Sequence, residues 1–200
     1  MNSDSDIITR AEADPQAFAQ VFDRHAGVVE SFLRRRLGVD AAQDALSETF
    51  LTAFRRLASF DHDWESARPW LLGIASRVAA KHRATEARQW LAIEASAAAG
   101  QHATSGGIDE ATGRLDAAAA VRALAPRIAA LSSRDRETLL LYAWGDLTAE
   151  QVAIALNIPV GTVWSRINRV RRKLAPPGSH AARLTWIAKE IDDGTLDARA

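Results

Sequence analysis

The sequence predicts an all-α chain of two small helical domains, an N-terminal helical bundle and a C-terminal helix-turn-helix, joined by a flexible linker. Three observations carry this. From Phe18 to about Gln89, and again from Leu115 to about Ala175, apolar side chains recur at helical spacing. Between these blocks ASAAAGQHATSGGIDEATGR, residues 95–114, is small, polar and glycine-rich, the composition of a tether. No stretch alternates apolar and polar residues as a strand does, and no internal repeat is present. The expected division is a flexible N-terminus over 1–14, a first domain over 15–92, a linker over 93–114, a second domain over 115–176 and an extension over 177–200.

Composition narrows the function classes. The chain has 200 residues, 48% of them apolar, ample for one or two packed cores. It has no cysteine, which excludes disulfides and thiolate metal sites, and its five histidines (His25, His62, His82, His102, His180) stand singly. Neither a metal nor a cofactor is expected. No run approaches the ~18–20 apolar residues of a membrane span, and the acidic start is unlike a signal peptide, so a cytoplasmic chain without membrane insertion is expected. The net charge of zero conceals an uneven layout. Residues 116–175 carry nine cations and five anions, and residues 1–20 one and four. Any contact with nucleic acid is therefore local rather than polycationic.

In the first domain, the helix predicted over Asp40–Phe60 has a core stripe of Leu46, Phe50, Ala53, Phe54 and Leu57. A second stripe of Asp44, Glu48, Leu51 and Arg55 lies at i, i+4, i+7 and i+11 and so shares one face. A leucine among charges suits either a partner helix or a solvated face with one stray apolar residue. The next helix has Ser66 as candidate cap and Pro69 in its first turn, and buries Trp70, Leu71, Ile74 and Val78. Arg77, Lys81 and Arg88 share another of its faces, with His82 and Arg83 adjoining. That basic stripe, beside the loop DHDWESARPW, suits an opened DNA strand by charge on phosphates and stacking of unpaired bases. Trp64 on the loop fits such a role and a partly buried core role about equally.

The second domain contains the most informative stretch, Leu131 to Leu174. Thr148 with Gln151 three residues on forms a capping box. Val152, Ala153 and Leu156 follow at helical spacing. Asn157 tolerates the left-handed backbone of a tight turn, and Ile158-Pro159 sets up the next helix. There Val163, Ile167, Val170 and Leu174 share the packed face. Thr162, Ser165, Asn168, Arg169 and Arg172 point away from it, with Arg166 on the flank. Gly161 to Ala175 holds five cations and no acid. A helix packed on one side and cationic on the other is suited to a DNA major groove.

Taken in order and spacing, the two blocks resemble a bacterial RNA polymerase σ factor of the extracytoplasmic-function type, a small member of the main σ family. The first signature of that family stands here as Asp44-Ala-Leu-Ser47-Glu48-Thr-Phe50 and Trp70-Leu-Leu-Gly-Ile74-Ala75. The second stands as Leu131 to Glu137 and Ile158 to Arg166. The resemblance covers about residues 15–90 and 115–175. It implies that Asp44, Glu48, Leu51 and Arg55 dock on the clamp-helix coiled coil of core RNA polymerase. It also implies that Trp64, Arg77, Lys81 and His82 meet the opened non-template strand of the −10 element. Thr162, Ser165, Arg166, Arg169 and Arg172 would meet the double-stranded −35 element, with the far side of that domain on the polymerase flap. Many members of the family are held inactive by an anti-σ protein, though nothing in this sequence shows that partner. Three positions depart from the family pattern: Ser47 replaces a glutamine, Arg77 a neutral amide and Trp164 a basic residue.

The competing reading is a LuxR-like helix-turn-helix regulator, whose DNA-binding domain has a similar pattern but whose N-terminal domain contains strands. An enzyme is not indicated: no convergent carboxylates, glycine-rich phosphate loop or nucleophile–base pair is present. In the extension, Leu184, Ile187, Ala188 and Ile191 form a short apolar stripe stopped at Gly194. It suits a helix packed back on the second domain, or a regulatory tail.

Overall fold

The computed structural model describes residues 3–99, 127–128 and 130–175, and every regular element among them is helical. The helices fall into two compact units, one holding α1 to α4 and one built on α5, α7 and most of α6. Among the described residues no helix is long and apolar enough to cross a membrane.

The first unit begins with α1 (Asp4–Ala13), where a flexible terminus over 1–14 was expected. Two local features override the acidic composition. The Ser3 hydroxyl accepts from the Asp6 amide at 3.1 Å while the Asp6 carboxylate accepts from the Ser3 amide at 3.0 Å, a reciprocal cap. Ile7, Ile8 and Ala11 then share a face and are buried. Pro15 opens a 3₁₀ turn over Pro15–Phe18, and α2 (Ala19–Leu37) buries Val21, Val29, Phe32 and Leu33. Gly38, at φ 82°, turns the chain through a backbone region that side-chain-bearing residues avoid. It leads into α3 (Val39–Arg55), which buries Ala45, Leu46, Phe50 and Ala53.

Helix α4 (Arg68–Ala99) packs with α2 and α3. Trp70, Leu71, Ile74 and Val78 are buried, as their spacing predicts. The helix runs to Ala99, into the segment 93–114 read as linker, because Ala95–Ala99 is alanine-rich and alanine is the best helix former. Edge-to-face rings join the turn to the bundle: Phe18 lies 5.4 Å from Phe54 and 6.3 Å from Phe50.

In the second unit, Ser132 caps α5 (Ser133–Trp144) through the Asp135 amide at 3.2 Å. The capping box expected for α6 (Ala149–Leu156) is present: the Thr148 amide donates to Gln151 at 3.0 Å and the Gln151 amide to Thr148 at 3.3 Å. Asn157 takes φ 53°, the left-handed turn expected of it, and Pro159 precedes α7 (Val160–Leu174). Val163, Ile167 and Val170 are buried, as are Leu141, Tyr142, Leu147 and Val152, and Leu174 is half-buried. The expectations for the remaining linker, for the start of the second domain and for the 177–200 extension lie outside the described residues.

Candidate nucleic-acid and polymerase interfaces

Helix α7 carries one candidate surface. Ser165, Arg169 and Arg172 are exposed, as is Asn168; Thr162 and Arg166 are half-buried. The one-sided burial follows from the spacing of Val163, Ile167 and Val170. Three of the cations are also tied to α5. Arg169 donates to the Asp135 carboxylate at 2.8 Å, and Lys173, one turn further, lies 3.8 Å from its other oxygen. Arg166 donates to the Thr138 hydroxyl at 3.4 Å. Asp135 is buried, its side chain 2% exposed, so it aims Arg169 as well as neutralising it. Nothing in the sequence reading singled out Asp135. The available signal was an acid in the first turn of a helix expected to pack against five uncompensated cations.

The stripe on α3 emerges as spaced: Asp44, Leu51 and Arg55 are exposed and Glu48 is half-buried. Leu51 is 48% exposed. Helix α2 contributes a second exposed hydrophobe, Phe22, whose ring lies edge-on to Phe50 at 4.8 Å; the sequence reading did not select it. Glu48 reaches α4, where Lys81 donates at 2.7 Å and His82 Nε2 at 3.0 Å. The Lys81 bond, then the His82 bond, hold the Glu48 carboxyl below the usual carboxylate range. Residues expected at two separate sites thus meet at one edge of the unit. Arg77, exposed and one turn before Lys81, continues the basic stripe.

The loop between α3 and α4 carries Trp64. Its ring is half-buried and stands edge-on to Phe60 at 5.5 Å, with Trp70 against the same Phe60 at 5.4 Å. Trp64 is therefore supported from beneath without being core. Asp61 shapes the turn by accepting from the Asp63 amide at 3.1 Å, while its carbonyl accepts from the Trp64 amide at 3.1 Å. Where the loop enters α4, Asp4 of α1 accepts from the Ala67 amide at 2.8 Å, from Ser66 at 3.3 Å, from His25 at 2.7 Å and from Arg24 at 3.0 Å. Burial pushes the Asp4 carboxyl up. The Ala67 amide, His25 and Arg24 outweigh it, so the group sits below its ordinary range.

Comparison with known proteins agrees with this geometry. Residues 21–89 match the family Sigma-70 region 2, and residues 122–174 match Sigma-70, region 4; together they take in more than half of the chain. The chain is 27% identical to the ECF RNA polymerase sigma factor SigW of Bacillus subtilis over 82% of its own length and 89% of that protein's. Over 79 residues it is 34% identical to the ECF RNA polymerase sigma factor BldN of Streptomyces coelicolor, a match spanning 38% of this chain and only 30% of that relative. Its fold is similar to that of CnrH, solved in complex with the cytosolic domain of CnrY. The TM-score is 0.57 at 22% identity, over 86% of this chain and 95% of that one. With both regions present in order, the chain belongs to the σ70 family, as a sigma factor of the extracytoplasmic-function type.

Proposed function

We propose that this promoter-directing σ factor divides its work between its two units. The first docks on the clamp-helix coiled coil of core RNA polymerase through Asp44, Glu48, Leu51 and Arg55, with Phe22 extending the apolar part of the contact. The same unit receives the opened −10 strand on Trp64, Arg77, Lys81 and His82. The second reads the −35 element by laying α7 in the major groove, Ser165 and Arg166 toward base edges and Arg172 toward phosphate, with Thr162 and Arg169 beside them. The observation that carries this is α7 itself: a cationic helix with one packed face, following a capped helix and a left-handed Asn157 turn.

In this scheme the chain performs no chemistry of its own and acts in the cytoplasm, where polymerase and promoter are. Each unit alone offers a small DNA contact. Held by the polymerase at the promoter's spacing, the second contact becomes intramolecular and gains from effective concentration. Run-off transcription with bacterial core polymerase on a library of upstream fragments tests the proposal. Start sites that appear only when the protein is added are the expected result, and their alignment yields both promoter elements. No protein-dependent start, together with a footprint by the protein alone on duplex DNA, would overturn it.

A further inference from the structure

Helix α1 touches the Trp64 loop at both ends. At the far end the Asp4 carboxylate takes the Ala67 amide and the Ser66 hydroxyl. At the near end Ser5 Oγ lies 3.0 Å from His62 Nδ1 and donates to the His62 carbonyl at 3.2 Å. Thr9 Oγ1 lies 3.3 Å from the same Nδ1 and donates to the Ser5 carbonyl at 2.9 Å. Both hydroxyl hydrogens are committed to carbonyls, so both oxygens can accept from an Nδ1–H of His62. The helix is itself fixed to the bundle, through Asp4 to Arg24 and His25 of α2 and through the buried Ile7 and Ile8.

We infer that α1 is a positioning element for −10 recognition, with Asp4, Ser5 and Thr9 as positioning residues that preset the 61–67 loop for an unpaired base. The inference rests on the assignment of Trp64 to the −10 strand. Pocketing a flipped base in a short loop requires that the loop be ordered beforehand; otherwise the ordering cost is taken from the affinity for the base. The packed side of that loop is supplied by Phe60 and Trp70. Its two ends are supplied by one helix that contains none of the residues assigned to DNA. Ser5 and Thr9 are well suited to testing because Thr9 is exposed and Ser5 half-exposed, and alanine at either place favours the helix.

The test uses the full chain assembled with core polymerase. The probe is the single-stranded non-template −10 oligonucleotide of a promoter defined by run-off, together with copies in which each −10 base is replaced in turn. Selectivity is the ratio of affinities between the parent and its most damaging replacement. Ser5→Ala combined with Thr9→Ala should lower that ratio about three- to ten-fold, the scale of one or two neutral hydrogen bonds. Core affinity, −35 duplex binding and thermal midpoint should stay unchanged, and Trp64→Ala should remove the selectivity. Unchanged selectivity in the Ser5, Thr9 variant with selectivity lost in Trp64→Ala overturns the positioning role and leaves the −10 assignment standing. Retained selectivity in Trp64→Ala overturns that assignment and the inference with it. A fall in thermal midpoint or core affinity matching the loss of selectivity reduces α1 to a structural brace and also overturns the inference.

Discussion

In the second unit the cations of α7 lean on Asp135, whose side chain is 2% exposed; in the first, Lys81 and His82 of α4 meet Glu48, 34% exposed. Both acids come from a neighbouring helix and both take two basic side chains, yet burial gives them different jobs. Asp135 cannot exchange its partners for water without moving, so Arg169 is held at one angle on the helix surface. Glu48 faces solvent, and its Lys81 partner is 69% exposed, so the pair is screened and exchangeable. The difference teaches that the α7 cations are held in place in the free protein, as the proposed −35 contact needs. The pairing at the edge between α3 and α4 is instead free to exchange, as a proposed contact with polymerase or a phosphate would require.

The strongest way to break this comparison is to remove the buried acid. Asp135→Asn should lower the stability of the second unit by about 2 kcal/mol, below the usual cost of orphaning a buried charge because Arg169 can return to water. Thermal unfolding by circular dichroism measures it, and −35 duplex binding should weaken in parallel; an unchanged midpoint would remove Asp135 as an anchor. Asp4 belongs with Asp135, since it is buried and takes four donors. Asp4→Asn should cost about 2 kcal/mol by the same reasoning. Because folding lowers the Asp4 pKa, its contribution is complete above the unfolded value near 3.8 and is lost as pH falls through the folded one. The substitution should therefore flatten the acid limb of the stability curve, and a limb as steep as in the parent would assign acid sensitivity to other carboxylates.

Neither buried acid was legible in the sequence, and the reason is physical. The Thr148–Gln151 box, the Asn157 turn and the packed face of α7 depend on residues within a few positions of each other, so spacing reveals them. Asp135 finds Arg169 across 34 positions, and Asp4 finds Ala67 across 63. Such pairs depend on how helices pack, which no local period encodes. Helix α1 was missed for a related reason: four acids in the first 20 residues dominate the composition, while the burial of Ile7 and Ile8 depends on the rest of its unit. The candidate site was legible as stripes, because a stripe is a property of one helix. That Glu48 of one stripe would pair with Lys81 and His82 of another was not.

An intermediate effect separates base reading from phosphate contact on α7. Arg166→Ala should weaken −35 recognition by ~1–3 kcal/mol and relax selectivity at one base pair if the side chain leaves Thr138 for a base edge. Arg172→Ala, at an exposed position, should weaken all sequences about equally and reduce the salt slope of binding by about one. Equal behaviour of the two variants in a duplex-binding titration at several salt concentrations would merge their roles.

The smallest effect sharpens the comparison most, because it asks whether the exposed pair is exchangeable at all. Glu48→Gln removes one half-exposed charge, and its cost in stability should stay below about 0.5 kcal/mol. The variant leaves Lys81 and His82 without their anionic partner, so single-stranded DNA should compete for them more effectively. Binding of a −10 oligonucleotide should then steepen in its salt dependence, by up to one counterion for Lys81. Docking on core polymerase should weaken in the same variant if Glu48 lies in that interface. A steeper salt slope with weaker core binding places Glu48 between two partners that draw on one charge cluster. A slope equal to the parent's would mean that Lys81 and His82 do not face the strand, and the basic edge of α4 would revert to an internal ion pair.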